Sequence, residues 1–348
     1  MHYAKNAWYV AGFEMDIEAG KPFAAMILGE PITIYRTSDG RVVALEDRCV
    51  HRLAPLSLGR CEGDNLRCMY HGLLFDPSGQ CVEIPGQEMI PAKARVRAYP
   101  IVAKHSHLWV WMGDPAAADE ALIAPSLGYD DPDYMCHHGH VDFAAEARLI
   151  GDNLLDFSHV PYTHVNSFDL GQNYADERPV VSAIDQGVRI DRWTTATLGA
   201  ATGRAAQPVD HFVTYDYLVP GIFLAWSGFY PIGTADALNQ GRPDYSQAFG
   251  VNFTTHAVTP MTAKTTRFTY LSCLHRSWAT EEAMDNMADI QRRAYAEDRT
   301  VIEAQQKIID ISADPQVMPS AHDLSLTLYH RTLDQRIEAE DSAKQRAA

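Results

Sequence analysis

Two short segments carry metal-ligating side chains at a suggestive spacing. Cys49-Val-His51 and Cys68-Met-Tyr-His71 together read C-x-H-x16-C-x2-H. Each pair brackets a tight loop beside an expected hairpin strand, so two loop tips can present four ligands to one centre. Two thiolates and two imidazoles suit a structural zinc ion, tetrahedral with mixed ligands. They also suit a [2Fe–2S] cluster with two cysteines on one iron and two histidines on the other. The order Cys then His in both loops favours the cluster, because each loop then reaches both irons. The other cysteines, Cys61, Cys81, Cys136 and Cys273, have no spaced partner and read as small buried side chains.

A second constellation lies in Gly151-Asp-Asn-Leu-Leu-Asp-Phe-Ser-His-Val-Pro-Tyr-Thr-His164. Asn153, Asp156 and His159 are spaced by three and share one face of a helix. His159 and His164 are five apart, about 140° around a regular helix, so they cannot converge unless it breaks. Pro161, between them, is expected to break it. Two neutral imidazoles and one carboxylate with open positions form the facial triad of non-haem Fe(II) oxygenases. The carboxylate is sought on a long C-terminal helical pattern, whose stripe runs through Met287, Ile290, Ala294, Asp298, Val301, Gln305 and Ile308. A lone carboxylate on an apolar stripe is costly unless paired or metal-bound. Asp298 therefore either pairs with Arg292, Arg293 or Arg299 or completes the triad, while Glu297 is expected to face solvent.

The elements that must position these residues follow from turn and pattern signals. Pro31–Tyr35 and Arg41–Leu45 flank Ser38-Asp39-Gly40, and Leu73–Phe75 and Gln80–Ile84 flank Asp76-Pro77-Ser78-Gly79, two hairpin signatures. His107–Met112 is a further strand, and residues 116–124, rich in Ala, Asp and Glu, read as a linker. Beyond it, Ala144–Ser158 favours helix, Pro179 to about Cys273 favours strands, and Thr280 to about Ile311 is one long helix. The class is α+β with an antiparallel sheet wrapped on helices.

Composition narrows the function. The 348 residues suit two domains, and 46 % hydrophobic with 21 % charged residues describes a packed globular chain. A net charge of −16 with no cationic cluster argues against duplex DNA or an anionic membrane as partner. The opening MHYAKNAWYVAGFEMD lacks the charged and apolar regions of a signal peptide, and six irregularly spaced cysteines make no disulfide framework. Both point to a cytoplasmic protein.

Cys49-x-His51-Arg52 and Cys68-x-Tyr-His71-Gly72 resemble the motif of the Rieske non-haem iron oxygenases. By that resemblance, respiratory Rieske proteins would carry an extra disulfide at positions held here by Ala54 and Tyr70, so the oxygenase type is the better match. Asp152-Asn153-x2-Asp156-x2-His159-x4-His164 is similar to the family's mononuclear-iron motif, and Glu297-Asp298-x3-Ile-Glu-Ala to the stretch that supplies its iron-binding aspartate. The similarity runs from Asn6-Ala-Trp-Tyr to the long helix and looks nearest to oxidative demethylases of the vanillate, dicamba and toluenesulfonate type.

The resemblance implies an N-terminal Rieske [2Fe–2S] β domain, residues 1–115, and a helix-grip catalytic domain with an antiparallel sheet, residues 116–348. It implies a cluster on Cys49, His51, Cys68 and His71 and a mononuclear Fe(II) on His159, His164 and Asp298. Asp156 would bridge His159 to His71 of the partner subunit in a head-to-tail homotrimer, Asn153 would sit beside the iron, and His256 would contact substrate. Asp289 stands where the dicamba type has a pocket tryptophan. The implied activity is oxidative O- or N-demethylation of a small aromatic compound with release of formaldehyde. Ring hydroxylation and cis-dihydroxylation would use the same ligands. A zinc-stabilised binding protein and a simple electron carrier are the non-oxygenase alternatives. No G-x-G-x-x-G, Walker loop or flavin site is evident, so electrons must come from a separate NAD(P)H reductase with flavin and an iron–sulfur centre.

Overall fold

Six consecutive buried residues, Trp8–Phe13, form strand β1, and five more, His107–Trp111, form β11. A strand buried on both faces reads as a continuous apolar run, which Trp8-Tyr-Val-Ala-Gly-Phe13 does. The computed structural model of the chain describes residues 2–167, 174, 178–197, 207–314 and 316–347, so part of the expected strand region, 198–206, lies outside the described residues. Two units form: residues 1–123 with 259–263, and residues 124–258 with 264–348.

The first unit is built from three small antiparallel sheets. One has the order β1, β11, β10 (Ile101–Lys104). A second has the order β2 (Phe23–Ile27), β3 (Glu30–Arg36), β4 (Val42–Glu46), β9 (Ala98–Tyr99). The third is β5 (Arg60–Glu62), β6 (Asn65–Arg67), β7 (Leu74–Phe75), β8 (Cys81–Glu83). Both expected hairpins are present. Gly79 turns the second at φ +82°, where a Cβ would sit 2.2 Å from the Val96 carbonyl oxygen. Residues 116–124, expected as a linker, fold as two short 3-10 turns capped by Asp114 and Asp119, and the Trp8 indole donates to the Asp119 carbonyl.

The second unit is a seven-stranded antiparallel sheet with helices packed on it. Its order is β12 (Tyr134–Phe143), β18 (Thr265–His275), β17 (Gly250–Thr262), β16 (Ile222–Tyr230), β15 (Val209–Leu218), β14 (Gly187–Thr197), β13 (Val180–Ile184). The register of β12 on β18 sets Cys136 opposite Cys273 with Cα atoms 4.2 Å apart, and a disulfide joins them. This corrects the expectation that neither has a partner; strand register, not sequence spacing, brings them together.

Five α-helices occur among the described residues: α1 (Ala147–Leu155), α2 (Val160–Thr163), α3 (Thr234–Ala237), α4 (Glu281–Ile311) and α5 (Leu324–Ala347). None is long and apolar enough to cross a membrane. The Thr280 hydroxyl caps α4 by accepting from Ala283 N–H, with Glu281 and Glu282 in the first turn, where carboxylates oppose the helix dipole. α5 was not among the expected elements.

The buried face of α4 differs from the expected stripe. Met284, Ala288, Gln291, Ala294, Tyr295, Asp298, Ile302 and Gln306 are buried, whereas Val301 and Ile308 are exposed. Hydropathy alone selected mostly apolar residues; the true face includes amides, each engaged through at least one polar end. Gln291 Nε2 donates to Ser272 Oγ at 2.6 Å, and Gln306 Oε1 accepts from Glu146 N–H at 2.9 Å.

That last bond also begins the fixing of α1. Glu303 Oε1 accepts from Ala144 N–H just ahead of the helix, Ser325 Oγ on α5 donates to the Leu155 carbonyl at its end, and His330 on α5 meets Asp152 at 2.5 Å. Gly151 is required inside α1, because a Cβ there would lie 2.7 Å from the Tyr217 hydroxyl. The helix stops at Asp156, with φ −130° and ψ 100°, five residues before the proline expected to break it. The Asp156 carboxylate then accepts from Ser158 N–H and Oγ, starting a 3-10 turn over Phe157–His159, and Pro161 sits in the first turn of α2.

Candidate metal centres

The first centre is made by two loops of the same construction. Cys49 N–H donates to the Ala54 carbonyl and Cys68 N–H to the Leu73 carbonyl, at 2.9 and 2.8 Å. In return, Leu53 N–H donates to the Cys49 carbonyl and Gly72 N–H to the Cys68 carbonyl. The fourth residue after each cysteine is left-handed: Leu53 at φ +58° and Gly72 at φ +74°. Each loop therefore turns its cysteine inward and its histidine outward. Cys49 and Cys68 are buried; His51 and His71 are exposed, with ring centroids 4.5 Å apart. Arg67, held between Glu62 and Glu83, donates to the Gly72 carbonyl and pins the second loop. Asp47 accepts from Ser57 N–H and Oγ, both at 2.6 Å, and ties down the first.

Burial, with the neighbouring Cys68 sulfur adding to it, pushes the Cys49 thiol up to about 11, so a thiolate there calls for a bound metal. Partial desolvation, then His51 and Arg52, holds His71 below its ordinary value, in the neutral form that ligates. A single tetrahedral ion would gather its four donors within about 4 Å of one another. Among the described residues, the one set of three such donors within 4.8 Å lies elsewhere. Buried sulfurs beneath outward imidazoles instead fit a two-iron cluster, one iron on each ligand pair.

That tighter set is His159, His164 and Asp298. Asp298 Oδ1 stands 3.5 Å from His159 Nε2 and 3.2 Å from His164 Nε2. The opposite ring nitrogens are both engaged. His159 Nδ1 donates to the Asp156 carbonyl at 2.6 Å, and His164 Nδ1 to Glu297 Oε2 at 2.9 Å. Carbonyl and carboxylate oxygens only accept, so each ring carries a proton on Nδ1 and turns Nε2 toward Asp298: protonated, Nε2 donates to the carboxylate; neutral, it offers a lone pair to a metal. Asn153 Nδ2 lies between, 3.1 Å from Asp298 Oδ1 and 3.3 Å from His159 Nε2. Burial disfavours charge on Asp298, but hydrogen bonds from the two imidazoles outweigh it and bring the carboxyl down to about 2. Burial likewise lowers His164, yet Asp298 and Glu297 leave it raised. Among the described residues no arginine pairs with Asp298: Arg292 pairs with Asp289, Arg299 with Glu303, and Arg293 is exposed. The donor set and its converging lone pairs fit a divalent ion of the facial-triad type.

One expectation changes here, and two further residues are placed. Glu297 does not face solvent; its Oε2 receives both His164 Nδ1 and Ser167 Oγ, the latter at 2.6 Å. Adjacent helix residues diverge by about 100°, which placed Glu297 off the stripe, but the buried sector is wide enough to hold both carboxylates. Asp156 touches His159 through its backbone carbonyl, while its carboxylate is taken by Ser158. Asp289 is exposed on α4 and paired with Arg292.

His256 lies on β17, 7 % exposed. Its ring stacks on Phe223 at 4.9 Å and packs edge-on to Phe268. Phe223 continues to Tyr215 and Phe157, and Phe157 to His159, so aromatic rings run from the triad to His256. The Tyr295 hydroxyl lies 3.1 Å from His256 Nε2, and Nδ1 is buried without a partner. Burial pushes this imidazole down to about 3, so it is neutral at physiological pH. Tyr295 carries no spacing signature and is not singled out by sequence; Glu297 figures there only as a solvated neighbour of Asp298 and within the motif stretch.

Comparison with known proteins identifies the two domains in which these donor sets lie. Residues 7–100 match the Rieske [2Fe-2S] domain, and residues 143–339 match the vanillate O-demethylase oxygenase C-terminal domain. The chain is 35 % identical over 347 residues to the iron–sulfur subunit of the toluene-4-sulfonate monooxygenase system of Comamonas testosteroni, covering 97 % of this chain and 98 % of that one. It is 30 % identical to a vanillate O-demethylase oxygenase subunit of a Pseudomonas species, covering 98 % and 97 %. The crystal structure of dicamba monooxygenase bound to dicamba superposes with a TM-score of 0.84 at 27 % identity, covering 98 % of this chain and all of that one. The two centres and these matches define a class, the iron–sulfur oxygenases with a second, mononuclear metal site. Within it, the chain belongs to the Rieske oxygenase family whose catalytic half is the vanillate O-demethylase C-terminal domain.

Proposed function

We propose that this protein is the oxygenase component of a multicomponent Rieske monooxygenase that removes a methyl group from oxygen or nitrogen of a small aromatic compound. The observation that carries the reading is the convergence of His159 Nε2, His164 Nε2 and Asp298 Oδ1 in a chain that also bears a Rieske domain. Residues 1–115 hold the cluster through Cys49, His51, Cys68 and His71, and residues 116–348 hold the iron. Bound there, ferrous iron supplies oxygen activation, given two electrons delivered one at a time.

The chain's own residues prepare that chemistry. Asn153 donates to the Asp298 oxygen that faces the two imidazoles and so holds its orientation, and the Asp156 carbonyl fixes the tautomer of His159. Phe157, Tyr215 and Phe223 form an apolar wall that seats an aromatic ring and excludes water. His256, neutral and with one ring nitrogen free, orients a polar group of the substrate. A hydroxylated O- or N-methyl group then collapses to formaldehyde and the free phenol or amine. Electrons arrive from an NAD(P)H reductase with flavin and an iron–sulfur centre, and dependence on NAD(P)H supports a cytoplasmic location. In a head-to-tail homotrimer the outward His71 faces the partner subunit's iron, and Asp156 forms the bridge, its backbone carbonyl on His159 and the remaining lone pairs of its carboxylate toward the partner subunit's His71.

The test is formaldehyde release from purified protein, a surrogate reductase, NADH and O2 against methoxy- and N-methyl-aromatic compounds. One formaldehyde per O2 with one substrate class is the expected result. Hydroxylated or diol products without formaldehyde would replace this reading with ring hydroxylation.

A further inference from the structure

The two ligand imidazoles are anchored in unequal ways. His159, 22 % exposed at its side chain, donates from Nδ1 to a backbone carbonyl. His164, only 3 % exposed, donates to the Glu297 carboxylate. Glu297 is itself braced, since the same Oε2 accepts from Ser167 Oγ, and Ser167 N–H donates to the His164 carbonyl. Two consecutive carboxylates on α4 therefore grip one ring across both nitrogens, Asp298 at Nε2 and Glu297 at Nδ1.

Three physical consequences follow. A ring this buried has no water to take its Nδ1 proton, so removing the acceptor leaves a buried donor unpaired and the tautomer unfixed. An acceptor-only carboxylate at Nδ1 keeps the Nε2 lone pair available and makes the ring a stronger base. A divalent ion held at Nε2 and Asp298 would be balanced by two negative charges, Asp298 directly and Glu297 through the His164 ring, in a poorly hydrated setting where uncompensated charge is costly.

We propose that Glu297, braced by Ser167, is a positioning residue that holds His164 in its metal-ligating tautomer and completes the charge balance of the centre. The proposal rests on the reading of His159, His164 and Asp298 as metal ligands. Glu297 touches neither substrate nor metal; it acts through His164.

The experiment uses the full-length protein with its cluster in place, freed of mononuclear metal by anaerobic dialysis against chelator. Co(II) binding is titrated by its visible absorption, and the cluster spectrum reports folding. Glu297→Ala is expected to weaken Co(II) binding about 10- to 100-fold, the range for loss of a group that orients a ligand. Glu297→Gln, whose amide oxygen still accepts from Nδ1 but which carries no charge, is expected to recover part of that loss, whereas Glu297→Met, of like size without an acceptor, recovers none; a merely space-filling role would restore binding in both. Wild-type affinity in Glu297→Ala, with none in Asp298→Ala, overturns the proposal and leaves the metal site standing. Wild-type affinity in both overturns the metal site and the proposal with it. A Gln variant as weak as the Ala variant overturns positioning through the hydrogen bond. If Glu297→Ala does not fold, Glu297→Asp decides: it keeps the charge but falls one methylene short of Nδ1, and unchanged affinity there overturns the proposal.

Discussion

The two metal centres are built by opposite strategies. The cluster loops bring all four donors from residues 49–71, and each loop is shaped by its own backbone: a cysteine N–H bonded to the carbonyl five residues on, and a left-handed residue four on. The triad joins His164 to Asp298 across the chain and needs α1, α4 and α5 to be seated first. A centre coded by local backbone geometry tolerates distant change and fails when its loop is altered. A centre coded by helix packing inherits every weakness of the helices that carry it.

The contrast is sharpest with Asp298→Ala, which is expected to abolish mononuclear iron binding and all substrate oxidation while leaving the cluster absorbance intact. Iron and acid-labile sulfide determinations check this; loss of both centres together would show that they are not independent. Next comes Asp156→Asn, expected to keep both centres and lose most NADH-coupled turnover, tenfold or more. Stopped-flow reduction followed by product analysis reads it, and normal turnover would sink the bridge.

A smaller effect separates the two loops themselves. Gly72→Ala places a Cβ 2.9 Å from Pro85 Cγ at φ +74°, at an expected cost of about 1–3 kcal/mol. Leu53→Gly relieves the corresponding left-handed strain but enlarges the unfolded ensemble, and should fall within about 0.5 kcal/mol of neutral. Thermal melts followed at the cluster absorbance distinguish them; equal losses would show that the loops are not equivalent in the way their hydrogen bonds indicate. The smallest effect is expected at Asp289→Ala. It removes an exposed ion pair with Arg292, so stability should change by less than about 0.5 kcal/mol.

Legibility in the sequence followed the same division. The loop motif could be read because ligand spacing and turn chemistry are local, and the start of α4 could be read because Thr280 and the acids after it form a local cap. The triad could be located, since Asp298 is a carboxylate on an apolar pattern, but its surroundings could not. Whether Ile302 or Val301 faces inward is a shift of one residue, and both are β-branched apolar side chains. Only packing chose Ile302 and brought Gln306 and Gln291 in with it. The break at Asp156 was hidden because proline is the stronger breaker in isolation, whereas here the caps on α1 and the Ser158 contact decide the place. Glu297 and the Cys136–Cys273 bond depend on partners 133 and 137 residues away, distances over which spacing carries no information.

Ser325 and His330, which close the end of α1 and hold Asp152, have one more consequence. Both are translated after every ligand of either centre. The cluster loops lie wholly in the N-terminal sheets, and their unit is complete once residues 259–263 clear the ribosome. The triad has no finished scaffold until α5 is out. Iron delivery to the second site is thus a late event in the life of each chain, and a ribosome stalled before Ser325 would carry an electron-transfer domain with nothing to reduce.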